Sequence, residues 1–313
     1  MKTNKTLFLL SIALLIGSLM LGQAPPAQQP AAAQKGAEAP QRGQGRGGGQ
    51  RGAPPAPAAT PVLSVYLEEL TWTEVKEAIA GGNTVAIVPT GGTEKNGFHM
   101  IMGKHNVHAR KGAELMARSL GNALVAPVIQ YVPEGQATEE NPGVISCPGP
   151  CFERIVEAAA RSLKTGGFKD MILIGDNGGN QNGLRAVADR LNKEWEGSDV
   201  KVFACTDFYD KGHEYLEAYL LAEFGWDMQV VGSHAGIQDT SQMMYVNPAG
   251  IRKNRIADSF NNRAESSVSG DPTKSSADVG RIGIEFKAIA AVAQYRAMKA
   301  PPRGQRGGRG GLN

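Results

Sequence analysis

The chain has 313 residues, a formal net charge of +3 and 41% hydrophobic residues, the apolar material being concentrated between residues 62 and 299. That supports one mid-sized packed domain and leaves no room for a second. Much of the positive excess lies in arginines near the two ends, so charge gives the folded part no nucleic-acid character, and small-molecule chemistry is the class that remains.

In chain order, residues 1–24 carry Lys2 and Lys5, the apolar run Thr6–Ile16 and then Gly17 to Gly22, which reads as an export signal. The run is shorter than the roughly 20 apolar residues of a full span; left uncleaved it would be an N-terminal anchor. Either outcome places the body outside the cytoplasm, periplasmic or extracellular. Residues 25–61 are rich in Pro, Ala, Gly and Arg and read as a disordered linker. Arg-Gly repeats around Arg42–Arg51 return in the tail 300–313 at Arg303, Arg306 and Arg309. In an exported chain such repeats suit a spacer or an envelope-surface contact, and no nucleic-acid partner is expected.

Thr84–Pro89 is a buried-strand pattern, and Asn106–Leu120 predicts a helix with Val107, Leu115, Met116 and Leu120 inward. A strand over Ala123–Tyr131 and a helix over Pro150–Lys164 follow. The strand Met171–Ile174, the helix Gly183–Trp195 and the strand Val200–Cys205 complete a βαβ rhythm. This alternation predicts an α/β domain over 62–299 with a mostly parallel sheet, whose ligand site lies beyond the carboxyl ends of the strands. Cys147 and Cys151 are close enough in sequence for a local disulfide, leaving Cys205 over. No second Cys or His pair stands at zinc-site spacing.

Three polar loops follow predicted strands or join helices. Thr90–His105 contains Glu94, Asn96, His99 and His105; Gly175–Asn180 contains Asp176 and Asn177; Gly232–Ser241 contains His234 and Asp239. Carboxylates and imidazoles gathered at strand ends suit metal binding and proton transfer, so the three loops are expected to converge on one cleft. Plainer roles stand beside these. Glu94 as a helix cap, His105 as a packing residue and Gly178-Gly179 as a tight turn are the structural alternatives. His108 and His213 read as bystanders, and Trp72, Trp195 and Trp226 as packing residues.

The order and wording of these segments resemble the creatininase (creatinine amidohydrolase) family. Its members carry a T-E-x-H-G-x-H stretch, an N-G-H-G-G-N-like loop and an H-A-G-x-x-E-T-S segment, with an opening E-x-T-W and a late G-D-P. Here these correspond to Thr93–His99, the Gly175–Asn180 loop, His234–Ser241, Glu69–Trp72 and Gly270–Pro272. The resemblance implies a three-layer α/β domain and hydrolysis of a non-peptide C–N bond, in an amide or cyclic amide, by two divalent ions. It also implies a homo-oligomer and a small-molecule substrate. Residue by residue, Glu94 matches the first ligand, His99 the later motif histidine and His234 the catalytic histidine, while Asp239 shortens a family glutamate. Asn96, His105 and Asn177 replace a ligand His, the bridging Asp and a loop His, and Gly179 replaces a glutamate. An amide is a poor zinc ligand and an imidazole cannot bridge two cations as a carboxylate does. The expectation is therefore one divalent ion, Zn or Mn, on Glu94, His105 and Asp176. His234 and Asp239 would transfer protons, with Asn96, His99 and Asn177 at the substrate or behind the ligands. The alternative is an inactive relative with no metal, binding a small molecule or serving assembly.

Overall fold

The computed structural model describes residues 61–300. The export signal, nearly all of the linker and the Arg/Gly-rich tail lie outside the described residues. Within them, four parallel strands, β1 (Val85–Thr90), β2 (Ala123–Val125), β3 (Asp170–Gly175) and β4 (Lys201–Ala204), form one sheet in the order β2-β1-β3-β4. The principal helices are α1 (Trp72–Ala80), α2 (Lys104–Leu120), α3 (Gly149–Thr165), α4 (Gln181–Glu194), α5 (Asp210–Phe224), α6 (Ile237–Val246) and α7 (Ala277–Lys299). Among the described residues no helix is long and apolar enough to cross a membrane.

Every residue of β1 and β3 is buried, because helices cover both faces of the sheet, and so the strands read as unbroken apolar runs. Alternate side chains divide between the faces. Ala86, Val88, Met171 and Leu173 pack with Phe152, Val156, Leu184 and Leu191 of α3 and α4. Val85, Ile87, Ile172 and Ile174 pack with Ala113 and Met116 of α2 and with Ala288, Ala291 and Val292 of α7. The result is the three-layer α/β/α arrangement. Burying each large apolar side chain contributes roughly 1.5–3 kcal/mol. Local signals agree with it: Thr71 and Glu74 close a capping box on α1, and α3 buries Phe152, Val156 and Ala160 at intervals of four.

β1 and β3 run in register from Val85 opposite Asp170 to Thr90 opposite Gly175. Their carboxyl ends therefore deliver the Thr90–His105 loop and Asp176 side by side. α7 is held close to α6 because Gly280 has no side chain: a Cβ there would stand 1.8 Å from the Ser241 carbonyl oxygen.

Three expectations change. β2 stops at Val125 rather than reaching Tyr131, because Pro127 has no N–H to give the ladder; pairing resumes only as an isolated bridge between Thr90 and Ile129. The second helix starts at Lys104, and its buried face is Lys104, His105, His108, Ala109, Gly112, Ala113, Met116 and Ala117. Val107, Leu115 and Leu120 are only partly buried. Small residues let that face lie against Phe208, whose ring a Cβ on Gly112 would meet at 2.4 Å. The expected disulfide is not formed: Cys147, Cys151 and Cys205 are all free thiols. Cys147 is buried and Cys151 is exposed on the first turn of α3. Burial and the neighbouring Cys151 push the Cys147 thiol up to about 11.

Candidate active site

The three loops meet at the carboxyl end of the sheet. Asp176, the residue after β3, is buried; its Oδ1 accepts a hydrogen bond from Lys287 Nζ at 2.6 Å and its Oδ2 one from His105 Nδ1 at 2.8 Å. The other ring nitrogen of His105 donates to Glu94 Oε1 at 2.8 Å. Lys104 Nζ lies 3.0 Å from the same Glu94 oxygen and is hydrogen-bonded to Asp239 Oδ2. Asp239 Oδ2 in turn accepts from the Ala235 N–H at 2.9 Å. One continuous chain of charged hydrogen bonds thus links α7, β3, α2, the first loop and α6.

The helices explain who points inward. Lys104 and His108 are one turn apart on the buried face of α2, with His105 beside them. On α7, Lys287 shares a face with Gly280, Gly283, Ile284, Ala288 and Ala291, all buried. Lys104 and Lys287 are each 1% exposed, and an ammonium so placed persists only when paired.

Protonation follows from geometry. A histidine with both nitrogens against carboxylate oxygens donates from both, so His105 is an imidazolium. Burial and Lys104 oppose that charge, but the bonds from Asp176 and Glu94 outweigh them and raise the His105 pKa. Burial works against ionised Glu94, yet His105 and Lys104 bring it down to about 2. Asp239 and Asp176 are likewise buried but held well below the carboxylate range, chiefly by Lys104 and Lys287 respectively. Three carboxylates are thus met by two ammonium groups and one imidazolium. The cluster is neutral on its own residues.

His234 stands at the mouth, with its side chain 29% exposed. Its Nε2–H donates to the Lys95 carbonyl at 2.8 Å, and its Nδ1 lies 3.6 Å from Glu94 Oε1. Burial, then Lys104, lowers its pKa, leaving a neutral ring at neutral pH. It borders a cleft of about 340 Å³ with Tyr209, His213, Glu217, Gln238 and Asp239. A larger groove of about 620 Å³, lined by Tyr66, Arg110 and Tyr245 among others, carries none of these groups, so the smaller cleft is the site. Within the loop beside His234, Ala235 holds a left-handed φ of 48°, a costly conformation for a residue with a Cβ. It is the conformation in which the Ala235 N–H meets Asp239.

Sequence reasoning brought Glu94, His105, Asp176, His234 and Asp239 to one place, and the structure puts them there. It does not form the expected His234–Asp239 couple: Asp239, in the first turn of α6, turns inward to Lys104, and the carboxylate nearest His234 is Glu94. His99 is fully buried, its Nδ1 2.9 Å from Ser259 Oγ and its Nε2 2.9 Å from Thr240 Oγ1, and burial brings its pKa down to about 4. Asn96 Nδ2 donates to the carbonyls of Glu94, Ile101 and Met102 at 3.0–3.2 Å, tying its own loop. Asn177 accepts from the Gly179 N–H at 2.7 Å and donates to Glu134 Oε1 at 2.7 Å. Glu134 was not anticipated, and burial with Glu94 nearby raises it to about 7. The two histidines read as bystanders also sit here. His108 Nδ1 is 3.3 Å from Asp176 Oδ2, without hydrogen-bond alignment, and His213 packs edge-on against the Tyr209 ring with centroids 4.4 Å apart. Their helical phase, shared with Lys104 and with Tyr209 respectively, was the available signal.

A profile of the creatinine amidohydrolase family matches residues 68–295. The chain belongs to the creatininase family. It is 27% identical over 206 residues to the creatinine amidohydrolase of Pseudomonas putida, a match spanning 62% of this chain and 76% of that one. A mutant creatininase complexed with creatine superposes with a TM-score of 0.59 at 25% identity, covering 76% of this chain and 100% of the other. A manganese form and a Zn-Zn form of creatininase, each 24% identical over 76% of this chain, share the fold at TM-scores of 0.59 and 0.58 and are covered over 100% and 99% of their lengths. Divalent metal is thus present within the creatininase family.

The residues of this chain do not fit such an ion as they stand. Both nitrogens of His105 are spent on carboxylates, and Glu94, Asp176 and Asp239 each already hold a cation. Among the described residues no group of three or more His, Cys, Asp or Glu is arranged to hold a metal.

Proposed function

We propose that this creatininase-family protein hydrolyses a non-peptide C–N bond in a small amide or cyclic amide, with His234 as the proton-transferring base. The observation that carries this reading is His234 itself: a neutral imidazole at the cleft mouth whose Nε2–H is committed to Lys95, leaving the Nδ1 lone pair free beside Glu94. In the reaction, Nδ1 takes a proton from water as the water oxygen bonds to the substrate carbonyl carbon. Glu94 stabilises the imidazolium formed. As the C–N bond breaks, the same proton goes to the departing nitrogen. General-base help of this kind supplies a rate factor of about 10²–10⁴. A cleft of about 340 Å³ suits a small molecule rather than a peptide chain. Residues 1–24 would export the protein, and recovery of the full-length gene product in the cytosolic fraction would refute that part.

The test is turnover of a panel of cyclic amides and ureides, creatinine included, by the full chain, followed by mass spectrometry of products. A panel member should be opened, and His234→Ala should slow it at least about 100-fold while the fold is retained. Turnover indifferent to His234→Ala would end the reading. Saturable binding with no turnover would favour the inactive small-molecule binder instead, for which the fully paired carboxylates are the supporting feature.

A further inference from the structure

We infer that Lys104 and Lys287 are the resident cations of this site, so that its acids are organised by two ammonium groups in place of divalent ions. Both are 1% exposed and both end on carboxylates of the site. They arrive from opposite directions, Lys104 from the first turn of α2 and Lys287 from the middle of α7.

Scattered ion pairs would not give this pattern. The other lysine and arginine salt bridges of the described residues have at least one well-exposed cation side chain, 27% at the lowest. Among the lysines and arginines of the described residues only Lys104 and Lys287 are enclosed, and both are at this one cluster. Between them His105 cross-links Glu94 to Asp176 through its two nitrogens. Each carboxylate therefore meets a cation that the chain itself supplies. A divalent ion entering here would have to displace a lysine whose buried charge has nowhere else to go. The inference concerns what holds the acids in place. It does not rest on turnover, so metal uptake decides it whether or not a C–N bond is cleaved.

The decisive measurement is metal content of the full chain after incubation with excess Zn²⁺ or Mn²⁺ and desalting, with thermal unfolding recorded with and without EDTA. We expect less than about 0.1 equivalents of either metal and an unfolding midpoint unmoved by chelator, since a folded holo site retains its ion. One equivalent or more, with a midpoint that falls in EDTA, overturns the inference. The double substitution Lys104→Ala/Lys287→Ala supplies the converse. Freed of their lysines, the acids should take up Zn²⁺, and the metal should raise the unfolding midpoint of the variant but not of the wild type. A folded variant that takes up no metal also overturns it. If the variant folds only with metal present, the inference stands, and if it folds under neither condition the wild-type metal content decides alone.

Discussion

Lys287→Met tests the charge network where its energetics are most exposed. The substitution keeps the length and volume of the side chain but withdraws the ammonium from Asp176. At 2.6 Å and an effective dielectric of about 20, the lost attraction is about 6 kcal/mol. Against it stands the recovered cost of having buried the lysine charge, several kcal/mol. The balance falls near the lower end of the 3–5 kcal/mol typical for breaking a buried pair, because Asp176 keeps His105 at 2.8 Å. We expect a loss of about 3 kcal/mol. Asp176→Asn should cost about as much or more, since it strands Lys287 and takes one carboxylate from His105. The double variant removes both charges together and should lose far less than the two single losses added, giving a coupling of at least about 2 kcal/mol. Urea unfolding followed by circular dichroism gives all four corners of the cycle. A Lys287→Met loss below about 1 kcal/mol, or additive single losses, would refute the network reasoning.

Three further outcomes are expected. Gly280→Ala places a Cβ 1.8 Å from the Ser241 carbonyl oxygen, and despite the better helix propensity of alanine it should destabilise by about 1–3 kcal/mol; an unchanged thermal midpoint would contradict the close α6–α7 packing. His99 falls from an unfolded value of 6.5 to about 4 in the fold, so the folded state binds fewer protons in that window. Its stability contribution is complete above pH 6.5 and is lost as pH falls toward 4, and His99→Gln should flatten this part of the stability–pH curve. Glu134 has the opposite sign: raised from 4.5 to about 7, it favours the fold below pH 4.5 and loses that advantage as pH rises through 7. Glu134→Gln should therefore be the more stable protein at pH 8, by about 1 kcal/mol after allowance for its partial exposure, and not at pH 4; equal gains at both pH values would rule out the titration.

The fold was legible where burial on both faces forces unbroken apolar runs, as in Val85–Thr90 and Asp170–Gly175. It was less so where one residue overrides the pattern, as Pro127 does in cutting β2 short. The candidate site was legible in part because Glu94 and Asp176 follow β1 and β3 in glycine-rich segments, positions that a parallel sheet gathers at one end, while His105 and Asp239 sit in the first turns of α2 and α6. The lysines escaped notice for a general reason. A lysine is ordinarily solvated, the helix predicted from Asn106 left Lys104 in the loop before it, and only the three-dimensional phase of α2 and α7 shows Lys104 and Lys287 turned inward. Lys287 left a trace in the sequence, standing between Phe286 and Ala288 in a stretch that is otherwise almost wholly apolar from Ile282 to Val292. His234 and Asp239 line the same cleft without bonding to each other for a different reason: proximity along the chain does not fix direction, and Asp239 in the first turn of α6 spends its carboxylate on Lys104 and the Ala235 N–H.

The groups around the acids make physical sense together. Buried carboxylates are among the most costly side chains to keep once their partners are gone, so a site that had merely lost its ions would be destabilised by Glu94, Asp176 and Asp239. All three are present here, and all three are ionised and paired. His105, standing where a bridging acid is expected, joins two of them as a cation, while Asn96 fastens the loop that carries Glu94 and Asn177 tethers Glu134. His105, Asn96 and Asn177 thus act as donors around the acids, and Lys104 and Lys287 complete the charge. What results is a charge-balanced floor beneath a cleft that His234 borders at its mouth beside His213, Tyr209 and Glu217.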